Sequence, residues 1–212
     1  MAKAAGPPIV GPPTSDELKE EFEAYAVAVG KVAYAWNNFQ EKLAALFCAI
    51  LGLHEYVGFA IWYFSDNDRA QRNMLKALVP VSERTTFKGR LPPTAIDDVL
   101  WLTDRANELA ELRNDAVHAP CSFYTDAEGT ELKASIISGY SGHKRAKRLI
   151  GKQLLVEFDW LERYAESFSR YVTEMTAALS VFERKPWPDR PVAPDRRAKK
   201  ALLSQRPRPR TK

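Results

Sequence analysis

Large apolar side chains recur along the first quarter of the chain at alternating steps of four and three residues: Leu18, Phe22, Tyr25, Val29, Val32, Trp36, Phe39, Leu43, Leu46 and Ile50. A stripe of period near 3.5 keeps facing its neighbours over many turns, so this seam predicts one long helix in a left-handed bundle. Thr14 and Glu17 offer a capping box at its start, Gly30 a place to bend and Gly52 a stop. A shorter apolar helix is expected over 56–64, and a third, capped by Ser65 and Asp66, to about Leu78. The stretch 80–93 reads as a polar loop, because proline lacks an amide hydrogen and crowds the preceding turn.

Behind Pro93, Thr94 and Asp97 repeat the capping pattern and open a helix to about His118. Its inner face reads Ile96, Val99, Leu100, Thr103, Ala106 and Leu109, and Pro120 limits its extension. The segments 121–124 and 131–138 then read as a β-hairpin turned at 127–129. Asp159 and Glu162 are the expected caps of a last helix with Leu161, Ala165, Phe168, Val172, Met175, Leu179 and Phe182 inward. The expected fold is all-α: a four-helix up-and-down bundle over 14–184 with a small β-hairpin insertion, about 121–157, before the last helix. A Pro-rich tail, 1–13, precedes it, and a basic Pro/Arg-rich tail, 185–212, is expected to be flexible. Trp187, outside the periodic region, is expected to dock that tail back or to meet a partner.

Composition bounds the class. The chain has 212 residues, 45% of them hydrophobic and 27% charged, which suits one globular domain with tails. Two cysteines, Cys48 and Cys121, exclude a disulfide scaffold. The net charge of +4 conceals an asymmetry. Eleven of the 31 basic residues and two of the 27 acidic ones follow Glu183, giving the tail +9 and the remainder −5. The first 13 residues lack the apolar core of a secretory signal, and the apolar run 43–53 is shorter than the ~17 residues needed to span a bilayer. A cytoplasmic location without membrane contact is expected.

Only three histidines are present. His54 follows Gly52 at a helix end, an ordinary structural choice. His118 closes the segment LRNDAVHAP, which sets Arg113, Asn114, Asp115 and His118 at the end of an amphipathic helix. Arginine neutralises phosphate through two parallel hydrogen bonds, and histidine exchanges protons near neutral pH. On a regular helix Asn114 and His118 share a face, whereas Arg113 lies ~140° from His118. The pair converges on one phosphodiester only if the helix unwinds near Pro120 or a second subunit completes the site. The structural alternative is a helix end where Arg113 pairs with Glu108 or Glu111 and His118 favours the negative pole.

The run His143, Lys144, Arg145, Lys147 and Arg148 suits phosphate contacts, or else forms a solvated loop. Glu108, Glu111 and Asp115 align at helical spacing and read as a solvated acidic face rather than a metal site. His118 and Cys121 make half a zinc site without a second pair, and Cys121 serves as a nucleophile only if its thiol is activated. The absence of a glycine-rich phosphate loop argues against an ATPase or kinase.

Arg113, the adjoining Asn114, and His118 after four intervening residues, late in a helical bundle, resemble the HEPN superfamily, whose ribonucleases carry Arg, four to six residues, then His. The resemblance covers about residues 15–183. It implies a metal-independent endoribonuclease needing no cofactor, with RNA as substrate and a homodimer that brings two Arg and His pairs into one cleft. Under it, His118 moves a proton at the ribose 2′-hydroxyl or leaving oxygen, Arg113 stabilises the phosphorane charge, and Asn114 orients either one. A toxin or anti-phage defence role is implied, with an antitoxin or defence-system protein as partner. Pro120 stands where toxins of the nucleotidyltransferase-partnered branch carry a modified Tyr, so regulation by that route is not expected. The alternative is a non-catalytic HEPN-like interaction module binding nucleic acid or a protein partner.

Overall fold

The structure is a computed structural model that describes residues 16–82, 92–125, 132–136, 142–180 and 185–196. The chain is mostly helical: α1 (Asp16–Leu51), α2 (Glu55–Tyr63), α3 (Asp68–Ser82), α4 (Ala95–His118) and α5 (Leu154–Leu179). Between α4 and α5 lie two short antiparallel strands, β1 (Ser122–Thr125) and β2 (Leu132–Ser135), and a 3-10 turn, Ala146–Arg148. The fold is therefore all-α with a minimal sheet. No helix of the described residues is long and apolar enough to cross a membrane.

Helix ends explain where the elements fall. The first helix, α1, runs unbroken through Gly30 and stops at Gly52, whose φ of 65° suits a residue without Cβ. There the Leu53 amide donates to Cys48 O and the Gly52 amide to Ala49 O, both at 3.2 Å. Thr14 and the Glu17 side chain, its expected capping pair, lie outside the described residues. Asn67, not Ser65 or Asp66, caps α3: its Oδ1 accepts the amides of Arg69 at 2.9 Å and Ala70 at 3.2 Å.

The third helix also continues through Pro80 to Ser82, where the sequence predicts a loop. Pro80 is exposed in the last turn, and burial of Val79 and Ser82 on either side holds that turn closed, with Ser82 Oγ donating to Val79 O at 2.6 Å. On α4 the inner face includes Leu102, fully buried, in place of Leu100. The last helix starts at Leu154, five residues before the expected cap Asp159. Buried Leu154 and Phe158 extend its apolar stripe, and the amides of Val156 and Glu157 bond Gln153 O. The insertion before it thus ends near residue 153. The hairpin turn 127–129 and Phe182 lie outside the described residues.

The chain packs as two units, and α1, α4 and α5 each contribute to both. The first comprises the chain to Ala33, Leu112–Glu162 and the chain from Pro194. Here the early seam of α1 meets the insertion: Phe22 and Tyr25 pack on Phe123 of β1, and Tyr25 also on Phe158 of α5. The second comprises Tyr34–Glu111 and Arg163–Ala193. Its core holds the late seam, Trp36, Phe39, Leu43, Leu46 and Ile50, with Trp62, Leu75, Leu102, Phe168 and Met175. Each such side chain contributes about 1.5–3 kcal/mol when fully buried. Close approach of α1 and α2 in this unit requires Gly58, since a Cβ there would stand 2.3 Å from Cys48 Sγ.

Candidate functional site

The last two turns of α4 hold the residues singled out from the sequence. Regular bonding persists to the Ala119 amide, which donates to Asp115 O at 3.0 Å, so Pro120 does not unwind the helix before His118. The 100° step per residue then fans the side chains. Asp115, Ala116 and Ala119 are buried, Arg113 and Asn114 half-buried, and Val117 and His118 exposed. Asn114 and His118 share one side of the helix, while Arg113 stays ~140° from His118.

Asp115 lies between them and is not part of a solvated acidic face. It is 0% exposed. An isolated carboxylate so placed costs several kcal/mol in lost hydration, and here arginines compensate it. Arg148 donates to it twice, through Nε at 2.5 Å and through Nη2, and Arg145 Nη1 stands 3.8 Å away. Two of the five residues in the predicted basic run are thus turned inward onto α4. The other three behave differently. His143 Nδ1 accepts the Ala146 amide at 3.3 Å and caps the 3-10 turn, whereas Lys144 and Lys147 are exposed.

Cys121 follows this helix end. Burial pushes its thiol up from the usual range, and Sγ donates to Ser122 O at 3.7 Å, so the thiolate needed for a nucleophile is disfavoured. Among the described residues no group of three or more His, Cys, Asp or Glu is placed to hold a metal ion.

A cleft of about 70 Å³ adjoins the clamp, lined by Asp115, Arg148, Lys152, Glu157, Trp160 and Arg196 among others. With ~30 Å³ per water it has room for one or two waters and not for a nucleotide, whose pockets begin at ~300 Å³. A polynucleotide therefore does not enter this cleft.

Arg196 reaches this cleft because residues 185–196, the start of the tail expected to be flexible, lie against helices. In the first unit Arg196 sits 4.6 Å above the Trp160 ring and donates to Glu157 at 3.0 and 3.3 Å, while Trp160 Nε1 donates to Pro194 O at 2.7 Å. In the second unit Arg190 sits 5.1 Å above Trp101 and donates to Asp98 at 2.6 Å, and Trp187 Nε1 donates to the same carboxylate at 2.8 Å. Both arginines end a Pro-Asp-Arg triplet, 188–190 and 194–196, and both pair a ring face with a carboxylate. Burial and the charge of Asp98 push Tyr171 up to about 12 against the opposing Arg190.

A second surface stands out on α2. Tyr56 is 82% exposed and Phe64, just past its end, 94%; Val57, Ile61 and Tyr63 are also exposed. Set against known protein families, curated proteins and solved structures, the chain matches no family model, no curated protein and no solved structure.

Proposed function

We propose that the chain is a HEPN-like four-helix domain acting as a metal-independent endoribonuclease, with Arg113 and His118 as its reacting pair and a role as a toxin or anti-phage effector. The observation that carries the reading is the end of α4. His118 is exposed there, and the buried Asp115 three residues earlier draws the basic run 143–148 to the same helix end. A proton-transfer group and cations for a phosphate thus belong to one unit. His118 takes the 2′-hydroxyl proton or returns one to the leaving oxygen, and a guanidinium offsets the charge of the phosphorane. Because α4 stays regular to Ala119, Arg113 and His118 of one chain do not converge. The reading therefore calls for a homodimer, in which Arg113 of one copy meets His118 of the other. Asn114, on the face of His118, orients the imidazole. The test is RNA degradation by the full chain and by the double variant Arg113→Ala, His118→Ala, with chelator present. The reading predicts cleavage by the first alone.

A second reading is a non-catalytic module that binds a protein partner. The exposed apolar face at α2 favours it, since side chains such as Tyr56 and Phe64 resemble an uncovered interface more than an ordinary monomer surface. Wild-type protein that cuts no RNA in any oligomeric state would support this reading.

A further inference from the structure

The outer side of α1 is apolar where a helix facing water would be polar. We infer that this face binds a second copy of the chain, with the two α1 helices antiparallel and crossing at Gly30. This surface does not depend on the ribonuclease reading.

From Ala24 to Trp36 the only charged residue is Lys31. A helix apolar on all sides is normally covered on all sides. The inner seam is buried at Val32 and Trp36, but Ala26, Val27, Gly30 and Tyr34 are exposed, Val27 by 57% and Tyr34 by 76%. At ~100° per residue these lie within ~60° of Gly30, together with half-buried Ala33. Lys31 turns away from them and pairs with Glu162 at 3.7 Å. Gly30 has neither a positive φ nor a close neighbour: a Cβ there would meet nothing within 4 Å. Glycine is unfavourable in mid-helix, and it is suited to a place where a second backbone comes close.

The flanks of the face select the partner. Lys19 stands 11 residues before Gly30 and Glu41 11 after it, and Glu23 stands seven before and Asn37 seven after. All four are exposed, and all four lie within ~20° of the direction of Gly30. In an antiparallel pair about a two-fold axis at Gly30, each position before the glycine faces the one equally far after it in the other copy. Lys19 then meets Glu41, and Glu23 meets Asn37, twice each. Tyr34 falls opposite Ala26 and Val27 opposite Ala33, so each larger side chain meets a smaller one. At the ~20° crossing of left-handed bundles, the charged ends, ~16 Å along the helix from the axis, diverge by only ~6 Å, which a lysine side chain spans. A parallel pair would instead set Lys19, Glu23 and Glu41 each against its own copy, like charge on like.

Sedimentation velocity of the full chain over a dilution series tests this. Wild type is expected to form a dimer that dissociates on dilution. Lys19→Glu sets like charges opposite each other twice and should raise Kd about tenfold, as should Glu41→Lys. Combining the two reversals restores both pairs and should return Kd to within about threefold of wild type. Gly30→Leu should leave a monomer, and because the new side chain meets open space in a single chain, its helix content by circular dichroism should match wild type. A wild type that is monomeric at every concentration overturns the inference. So does a Gly30→Leu dimer as tight as wild type, or a pair of charge reversals whose effects add instead of cancelling. RNA left uncut by a dimer that passes these tests counts against the ribonuclease reading alone.

Discussion

Arg148 closes two hydrogen bonds on the carboxylate of Asp115 across 33 positions of sequence, and the pair is unequal: the Asp115 side chain is 1% exposed and the Arg148 side chain 38%. Removing the arginine strands a buried charge, whereas removing the aspartate leaves a guanidinium that can turn to water. Arg148→Ala is therefore expected to cost about 3 kcal/mol, at the low end for a broken buried pair because Arg145 remains close. Asp115→Asn, which keeps one acceptor oxygen, should cost less. Urea unfolding of the two variants gives the comparison; equal losses would mean that Asp115 is not the controlling partner.

Gly58 is set by packing. A methyl there would stand 2.3 Å from Cys48 Sγ, and Cys48 is itself buried between α1 and α2. Gly58→Ala is expected to destabilise by about 1–3 kcal/mol, the usual range for overpacking. Adding Cys48→Ala removes the sulfur and should recover part of that loss. The double variant then falls short of additivity in thermal or urea unfolding.

Tyr171 makes an alkaline prediction. Its hydroxyl is buried without a hydrogen-bond partner among the described residues, so Tyr171→Phe should leave stability at pH 7 unchanged or raise it by up to about 1 kcal/mol. Its pKa is about 12 in the folded chain against an ordinary ~10, so the folded state holds the proton more tightly. Stability from this group is complete below pH ~10 and is lost as pH rises toward ~12. Tyr25, also pushed up by burial and then by Cys121, adds to the fall over the same range. Unfolding midpoints from pH 9 to 12 should decline less steeply in Tyr171→Phe than in wild type.

Much of the helical fold was legible in the sequence because its apolar spacing is long and regular. The α1 seam shows this: Val32 to Ile50 are buried as the spacing predicts, and Gly52 ends the helix. Proline misled at Pro80, since an exposed proline in a last turn loses one amide while Val79 and Ser82 stay buried. Capping residues misled at Asp159 because the stripe had already begun at Leu154. Asp115 escaped notice as a buried residue, although Leu112, Ala116 and Ala119 mark the face on which it lies. The repeated Pro-Asp-Arg triplet is the sign in the sequence that the tail has docking side chains, whereas the charge count places Arg190 and Arg196 only within a basic tail expected to be flexible. Nothing in the spacing of HKRAKR distinguishes inward arginines from outward lysines, since a 3-10 turn between loops has no periodicity long enough to read.

The docked segment should therefore contribute to stability. Trp187→Phe removes the indole donor to Asp98 and keeps most of the apolar contact, so a loss of about 1.5–3 kcal/mol is expected, as for a hydrogen bond to a charged group. Arg196→Ala, an exposed pair with Glu157, should cost under about 1 kcal/mol. Thermal unfolding of both variants orders the two contacts.

The central claim is that His118 moves a proton at a ribose hydroxyl. Its most direct measurement is the rate at which the full chain cuts a single-stranded oligonucleotide carrying one ribose among deoxyriboses, with chelator present. The account predicts cleavage after that ribose, a fall of about 10²–10⁴ in His118→Ala, and none when the ribose is replaced by deoxyribose. An unchanged rate in His118→Ala, or cutting of the all-deoxy strand, would contradict it.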